Sequence, residues 1–185
     1  MTASALGQTR DLASRDPSAN APLYCTGFET GCPDWKLSDL GDPNVRFATD
    51  PGVCHAGKSS LRFELNGTNT FWLCRTFKGQ CTPGNTYTFR GHIKLENVDG
   101  EVGFCTDMGV DEPRFGPIDA HKTLTGTHDW TEVAFDIGVP PNVTVVCIDI
   151  VHTAKDEKPA TAGTFWVDDV SLTWKAKNDL RPFPG

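Results

Sequence analysis

A chain of 185 residues, 38% apolar and 22% charged, is long enough to bury one sizeable core and fits one domain. Its 17 basic and 24 acidic side chains leave a formal charge of −7. That balance excludes the basic face a nucleic-acid partner requires and disfavours an anionic membrane surface. No apolar run approaches the length that crosses a membrane.

Residues 1–21 are polar and without periodicity, and read as a flexible leader or linker. They hold no hydrophobic signal core, which leaves a trimmed signal peptide or a domain taken from a larger protein. Residues 22–175 carry short β-type runs punctuated by Gly, Pro, Asn and Asp, and residues 176–185 form a polar tail. Gly52 to Ser59 satisfies the phosphate-loop pattern G-x-x-x-x-G-K-S. The pattern works only between a buried strand and a helix, whereas here a polar stretch precedes it and a period-two run follows. Nucleotide binding is therefore rejected.

That following run, residues 60–65, puts Leu61, Phe63 and Leu65 on one face. Residues 86–95 put Tyr87, Phe89, Gly91, Ile93 and Leu95 on one face, and Thr88, Arg90, His92 and Lys94 on the other. A shorter strand is expected over 101–107, then one over 130–137 with Val133, Phe135 and Ile137 inward, a longer one over 143–152, and a closing one over 165–174. Turn signals such as Thr82-Pro83-Gly84-Asn85 and Pro140-Pro141-Asn142 separate them. Period two throughout, with no helical stripe and no internal repeat, predicts an all-β antiparallel sandwich.

The seven cysteines are Cys25, Cys32, Cys54, Cys74, Cys81, Cys105 and Cys147. None forms a C-x-x-C pair and none has zinc-finger spacing to a His. Disulfides formed in an oxidising compartment are the simpler expectation, with Cys25–Cys32, Cys74–Cys81 and Cys105–Cys147 as bridges and Cys54 left over. A cytosolic chain with free thiols is the alternative. The sequons Asn66-Gly67-Thr68 and Asn142-Val143-Thr144 are compatible with a secreted or extracellular chain.

Five segments then occur in a telling order. Gly27-Phe28-Glu29 is followed by Trp35, then by His55-Ala56-Gly57-Lys58-Ser59-Ser60-Leu61-Arg62-Phe63. Next come Pro83-Gly84-Asn85-Thr86-Tyr87-Thr88-Phe89, Asp129-Trp130-Thr131-Glu132-Val133, and a final Phe165-Trp166-Val167-Asp168-Asp169-Val170-Ser171-Leu172. Over residues 24–174 the chain resembles the carbohydrate-binding modules of families four, nine and twenty-two, which are galactose-binding-domain-like jelly rolls. The resemblance implies a structural Ca²⁺ tying the start of the domain to its last strand. Glu29 and Asp168 would be its carboxylate ligands, with carbonyls near Gly27 and Lys58. Strand alternation is expected to turn Asp169 away.

It also implies a sugar site on the concave sheet, where an aromatic platform meets polar groups. Trp72 is the expected platform, with Phe71 as the alternative, and Arg90, His92, Asp107 and Asp149 are the expected polar contacts. The loop 106–128 would form one wall. His92 stands where the family has an aromatic, which argues against the family's usual β-glucan or xylan ligands. The expected function is a non-catalytic, monomeric module that binds a polysaccharide or oligosaccharide, as part of a larger multidomain protein. Two alternatives stay open: a small jelly-roll lyase or glycoside hydrolase using acids such as Asp107 and Asp149, and a protein-binding adhesion module. No G-x-S-x-G or H-E-x-x-H motif occurs.

Overall fold

Alternation sorts each run into a core face and an outer face, and the strands pair so that the core faces meet. A computed structural model describes residues 22–113, 122–160 and 162–175, so the leader and tail lie outside the described residues. Nine strands occur among the described residues, with no α-helix and a single 3₁₀ turn at Lys155–Glu157. They are β1 (Pro22–Thr26), β2 (Lys36–Leu37), β3 (Arg46–Asp50), β4 (Ser60–Glu64) and β5 (Phe71–Lys78), followed by β6 (Thr86–Gly109), β7 (Lys122–Gly138), β8 (Val145–Thr153) and β9 (Thr164–Lys175). Every pairing between them is antiparallel.

The expected strands over 86–95 and 101–107 are one 24-residue strand, β6, which turns a corner and serves both layers. Its first half, Thr86 to Glu96, pairs with β9, and its second half, Glu101 to Gly109, pairs with β8. The back layer therefore runs β7–β6–β9–β4–β3, with β1 on β9, and the front layer runs β6–β8–β5–β2. At the corner Asn97 has φ 51° and Gly100 has φ 96°, and the register against β7 slips. Gly100 is needed there, because a Cβ would strike the Thr153 carbonyl.

Between the layers lie fully buried Leu61, Phe63, Phe71, Leu73, Phe89, Ile93, Phe104 and Phe165. Phe63 stacks on Phe165 at 4.3 Å and 4°, and on Phe71 of the front layer at 5.6 Å. Two tryptophans are packed and satisfied. Trp35 donates its Nε1–H to Tyr24 Oη at 3.0 Å, and Trp166 donates to Asp50 Oδ2 at 2.9 Å. Gly52 to Lys58 is a loop closed by the Ser60 hydroxyl, which donates to the Val53 carbonyl at 2.6 Å. Ser60 then opens β4 rather than a helix, so the phosphate-loop pattern has no phosphate site behind it.

The expected disulfides are absent, and all seven thiols are free. Cys81 belongs to the core, while Cys74 lies on the opposite face of β5 from core-facing Leu73 and Phe77. Cys105 sits across from Asp149 and Cys147 across from Asp107, one rung out of register with each other. Phe63→Ala should destabilise the domain by about 3–5 kcal/mol in urea unfolding, since it opens a cavity where both layers touch.

Candidate functional site

Directly opposed residues in antiparallel strands face the same side, so register alone builds a surface. On the outer face of the front layer, Trp72 (β5), Val151 (β8) and Gly103 (β6) form one row. Cys74, Asp149 and Cys105 form the second, extended by Lys36 of β2 opposite Cys74. Thr76, Cys147 and Asp107 form the third. Three expected site residues, Trp72, Asp107 and Asp149, are therefore neighbours on one face. Trp72 and Asp107 are partly exposed, whereas Asp149 is fully buried. Phe71 faces the core and is not available as a platform.

Sequence reasoning passed over the three thiols that share this face. Cys147 Sγ lies 3.3 Å from Asp149 Oδ1, and Cys105 Sγ lies 3.7 Å from Asp149 Oδ2. Burial pushes the Asp149 carboxyl up to about 7; hydrogen bonds from Cys74 and Cys147 oppose the shift, and a hydrogen bond and charge from Asp107 add to it. Burial and the neighbouring carboxylates hold the Cys105 thiol far above its ordinary range.

Arg90 and His92 do not join this face. They project from the outer surface of the back layer, because the core-facing residues of that half of β6 are Phe89 and Ile93. The corner in β6 separates them from Asp107. Arg90 pairs with Glu132 at 2.9 Å. His92 stacks on His55 at 3.7 Å and 13°, its Nδ1 buried and without a hydrogen-bond partner. Burial, followed by the charge of His55, lowers its pKa. His55 Nδ1 in turn contacts Asp169 Oδ2 at 2.7 Å.

Next to this pair the acids of the expected calcium site converge. A Cβ at Gly27 would lie 3.6 Å from Asp168 Oδ1, 3.6 Å from Glu29 Oε1 and 3.7 Å from Asp169 Oδ1. Asp169 was expected to point away. Its φ of 47°, at a register shift between β6 and β9, cancels the alternation and keeps it beside Asp168. Asp168 is fully buried and accepts from the His55, Ala56 and Asp169 N–H groups. Burial raises its pKa against those bonds. The Lys58 N–H donates to Glu29 Oε1 at 2.8 Å. Gly57, at φ 69°, leaves room for that carboxylate where any Cβ would collide with it.

The loop read as a wall, residues 106–128, is strand at both ends, β6 to Gly109 and β7 from Lys122, and residues 114–121 between them lie outside the described residues.

No protein-family profile matches the chain, and no curated protein does. Solved structures do. The C-terminal family 22 carbohydrate-binding module of Clostridium thermocellum xylanase 10B aligns with a TM-score of 0.62 at 20% identity, covering 86% of this chain and 98% of that one. The N-terminal CBM22-1–GH10 portion of the same xylanase, solved with xylohexaose, aligns at 0.62 and 14% identity over 84% of this chain and 29% of that one. A family 61 module in complex with β-1,4-galactotriose aligns at 0.52 and 18% identity, over 80% and 94%. The chain thus shares the antiparallel jelly-roll fold of these modules.

Asp149 makes stability pH-dependent in a definite direction. Its folded pKa lies above the ordinary carboxyl value of 3.8, at about 7. Between those values the folded chain keeps a proton that the unfolded chain releases. In metal-free buffer this group should therefore lower stability by about 1.4 kcal/mol per pH unit as pH rises through that window, with no further loss above it. Denaturant titrations of wild type and Asp149→Asn, compared pH by pH, should show that slope only in wild type.

Proposed function

We propose that the chain is a non-catalytic carbohydrate-binding module that takes a polysaccharide or oligosaccharide on the outer face of the front layer. The observation that carries this reading is the placement of Trp72. It is a partly exposed indole on a sheet face, beside polar Asp107, in a fold shared with modules solved with xylohexaose and β-1,4-galactotriose. An indole offers a flat apolar surface to sugar C–H groups, and a carboxylate accepts from hydroxyls. Asp149 is too deeply buried to touch a sugar and acts instead beneath the face. Arg90 and His92, on the other layer, have no part in this site.

Catalysis is disfavoured by the same geometry. Asp107 and Asp149 are hydrogen-bonded to each other, whereas a glycosidase needs its two carboxyls about 5–10 Å apart across the sugar. The reading includes a secreted, monomeric module of a larger multidomain protein, by analogy with the neighbour joined to a GH10 module.

The acids around Gly27 fit a hard cation. Glu29, Asp168 and Asp169 would hold Ca²⁺, and its charge would join the end of β1, the 55–58 loop and β9.

Two experiments test this. On affinity gels cast with a panel of xylans, glucans and galactans, at least one polysaccharide should retard the protein, and Trp72→Ala should abolish the retardation. Retardation by none, or an undiminished Trp72→Ala, overturns the glycan reading; release of reducing ends moves the chain to the enzymes. Added to metal-free protein, calcium should raise the melting temperature, and Asp168→Asn should lose that response. A calcium-independent melting curve removes the cation.

A further inference from the structure

The second and third rows of the front face gather three thiols around one carboxylate, each thiol from a different strand. Cys74 comes from β5, Cys147 from β8 and Cys105 from β6, with Asp149 between them. The ligand atoms of Cys74, Cys147 and Asp149 lie within 4.8 Å of one another, and so do those of Cys105, Asp107 and Asp149. We propose that Cys74, Cys147 and Asp149 bind a thiophilic divalent cation, for which zinc is the probe. This inference does not depend on the glycan reading and adds a second site to it.

Geometry favours the assignment. Two sulfurs bound to one tetrahedral zinc, each about 2.3 Å from it, stand about 3.8 Å apart. Cys147 Sγ already lies 3.3 Å from Asp149 Oδ1, and the ligand atoms of Cys74, Cys147 and Asp149 lie close enough together to face a common centre. Cys105, 3.7 Å from the other carboxylate oxygen, flanks this set and is not part of it.

Burial favours it too. The exposures of Cys74, Cys105, Cys147 and Asp149 are 9%, 4%, 1% and 0%. A carboxyl group enclosed by thiols gains little there, because a thiol is a weak donor and an ionised carboxylate away from water is costly. A bound cation converts the same set into an attractive centre. Sulfur ligands select zinc over calcium or magnesium, which take oxygen. The sets differ accordingly: the acids around Gly27 are all oxygen, and this cluster is mainly sulfur.

Binding displaces the thiol protons. One Zn²⁺ replaces two S–H protons, and a third where Asp149 is protonated, leaving two thiolates and one carboxylate on the metal and a fourth position for water. The centre then carries a net −1, and Lys36, in the same row as Cys74, is a nearby cation on that face. The Trp72–Val151–Gly103 row remains outside the ligand set.

The whole chain, held in a reducing buffer, should retain one zinc after desalting by elemental analysis. Replacing zinc with Co²⁺ should produce a thiolate-to-cobalt charge-transfer band and the strong visible bands of a tetrahedral site. Cys147→Ser should weaken zinc binding by about 100-fold or more and reduce the charge-transfer intensity, a loss larger than that typical of supporting residues. Cys54→Ser and Asp168→Asn should leave both readouts unchanged. If Cys147→Ser does not fold, the cobalt spectrum of wild type decides. Folded protein that keeps no zinc and shows no charge-transfer band overturns the proposal. So does a Cys74–Cys147 disulfide identified by peptide mapping of the folded protein. Zinc held by Cys147→Ser but lost in His55→Ala would assign the metal to His55, His92 and Asp169, and would also overturn it.

Discussion

One continuous hydrogen-bonded ladder sets where every functional side chain of this protein lies. β6 is a central strand of both layers, paired with β9 before its corner and with β8 after it. Because side chains alternate with period two, its register decides which residues of β8 and β9 share a face with it. A slip of one residue in the second half would turn Cys105 and Asp107 inward and bring Phe104 out to the surface. The fully buried Phe104, packed against Phe89 at 4.7 Å, opposes such a slip.

The same corner divides the molecule chemically. Before it, the outward residues of β6 meet acids and imidazoles: His92 lies across from Asp168 and stacks on His55. After it, they meet thiols and a buried carboxyl group. The back-layer cluster is built of oxygen and nitrogen and includes acids from both ends of the domain, Glu29 and Asp168. The front-layer cluster is built mainly of sulfur and is sealed in the sheet. The two donor sets differ in the chemistry they favour, oxygen suiting hard cations and sulfur thiophilic ones.

The front face also explains why the fold alone does not settle the ligand. A sugar platform needs exposed rings and hydroxyl-binding groups, and Trp72 and Asp107 supply a small set of both. Its centre is β8, whose outward residues Val145, Cys147, Asp149 and Val151 are all buried, as are its inward ones. In the proposed function, sugar contact on this face falls to its partly exposed residues, Trp72 and Asp107 among them.

Much of this was legible in the amino-acid order. Alternation through residues 60–65, 86–95 and 165–174 gave the strands and the core residues, because a half-buried strand must alternate whatever its partners are. The acids Glu29 and Asp168 stand out through motif resemblance, and strand register sets Trp72, Asp107 and Asp149 on one face. Other features depended on long-range pairing. Arg90 and His92 share a strand with Asp107, yet the corner near Asn97 and Gly100 sends them to the opposite surface. Asp169 keeps company with Asp168 only because its backbone leaves the regular strand. Cys74 and Cys147 lie too far apart in sequence to read as a metal motif, and local spacing suggested disulfides instead. Sequence determined the period of each strand; tertiary structure decided which rungs meet, since register is set by pairing between strands and not within them.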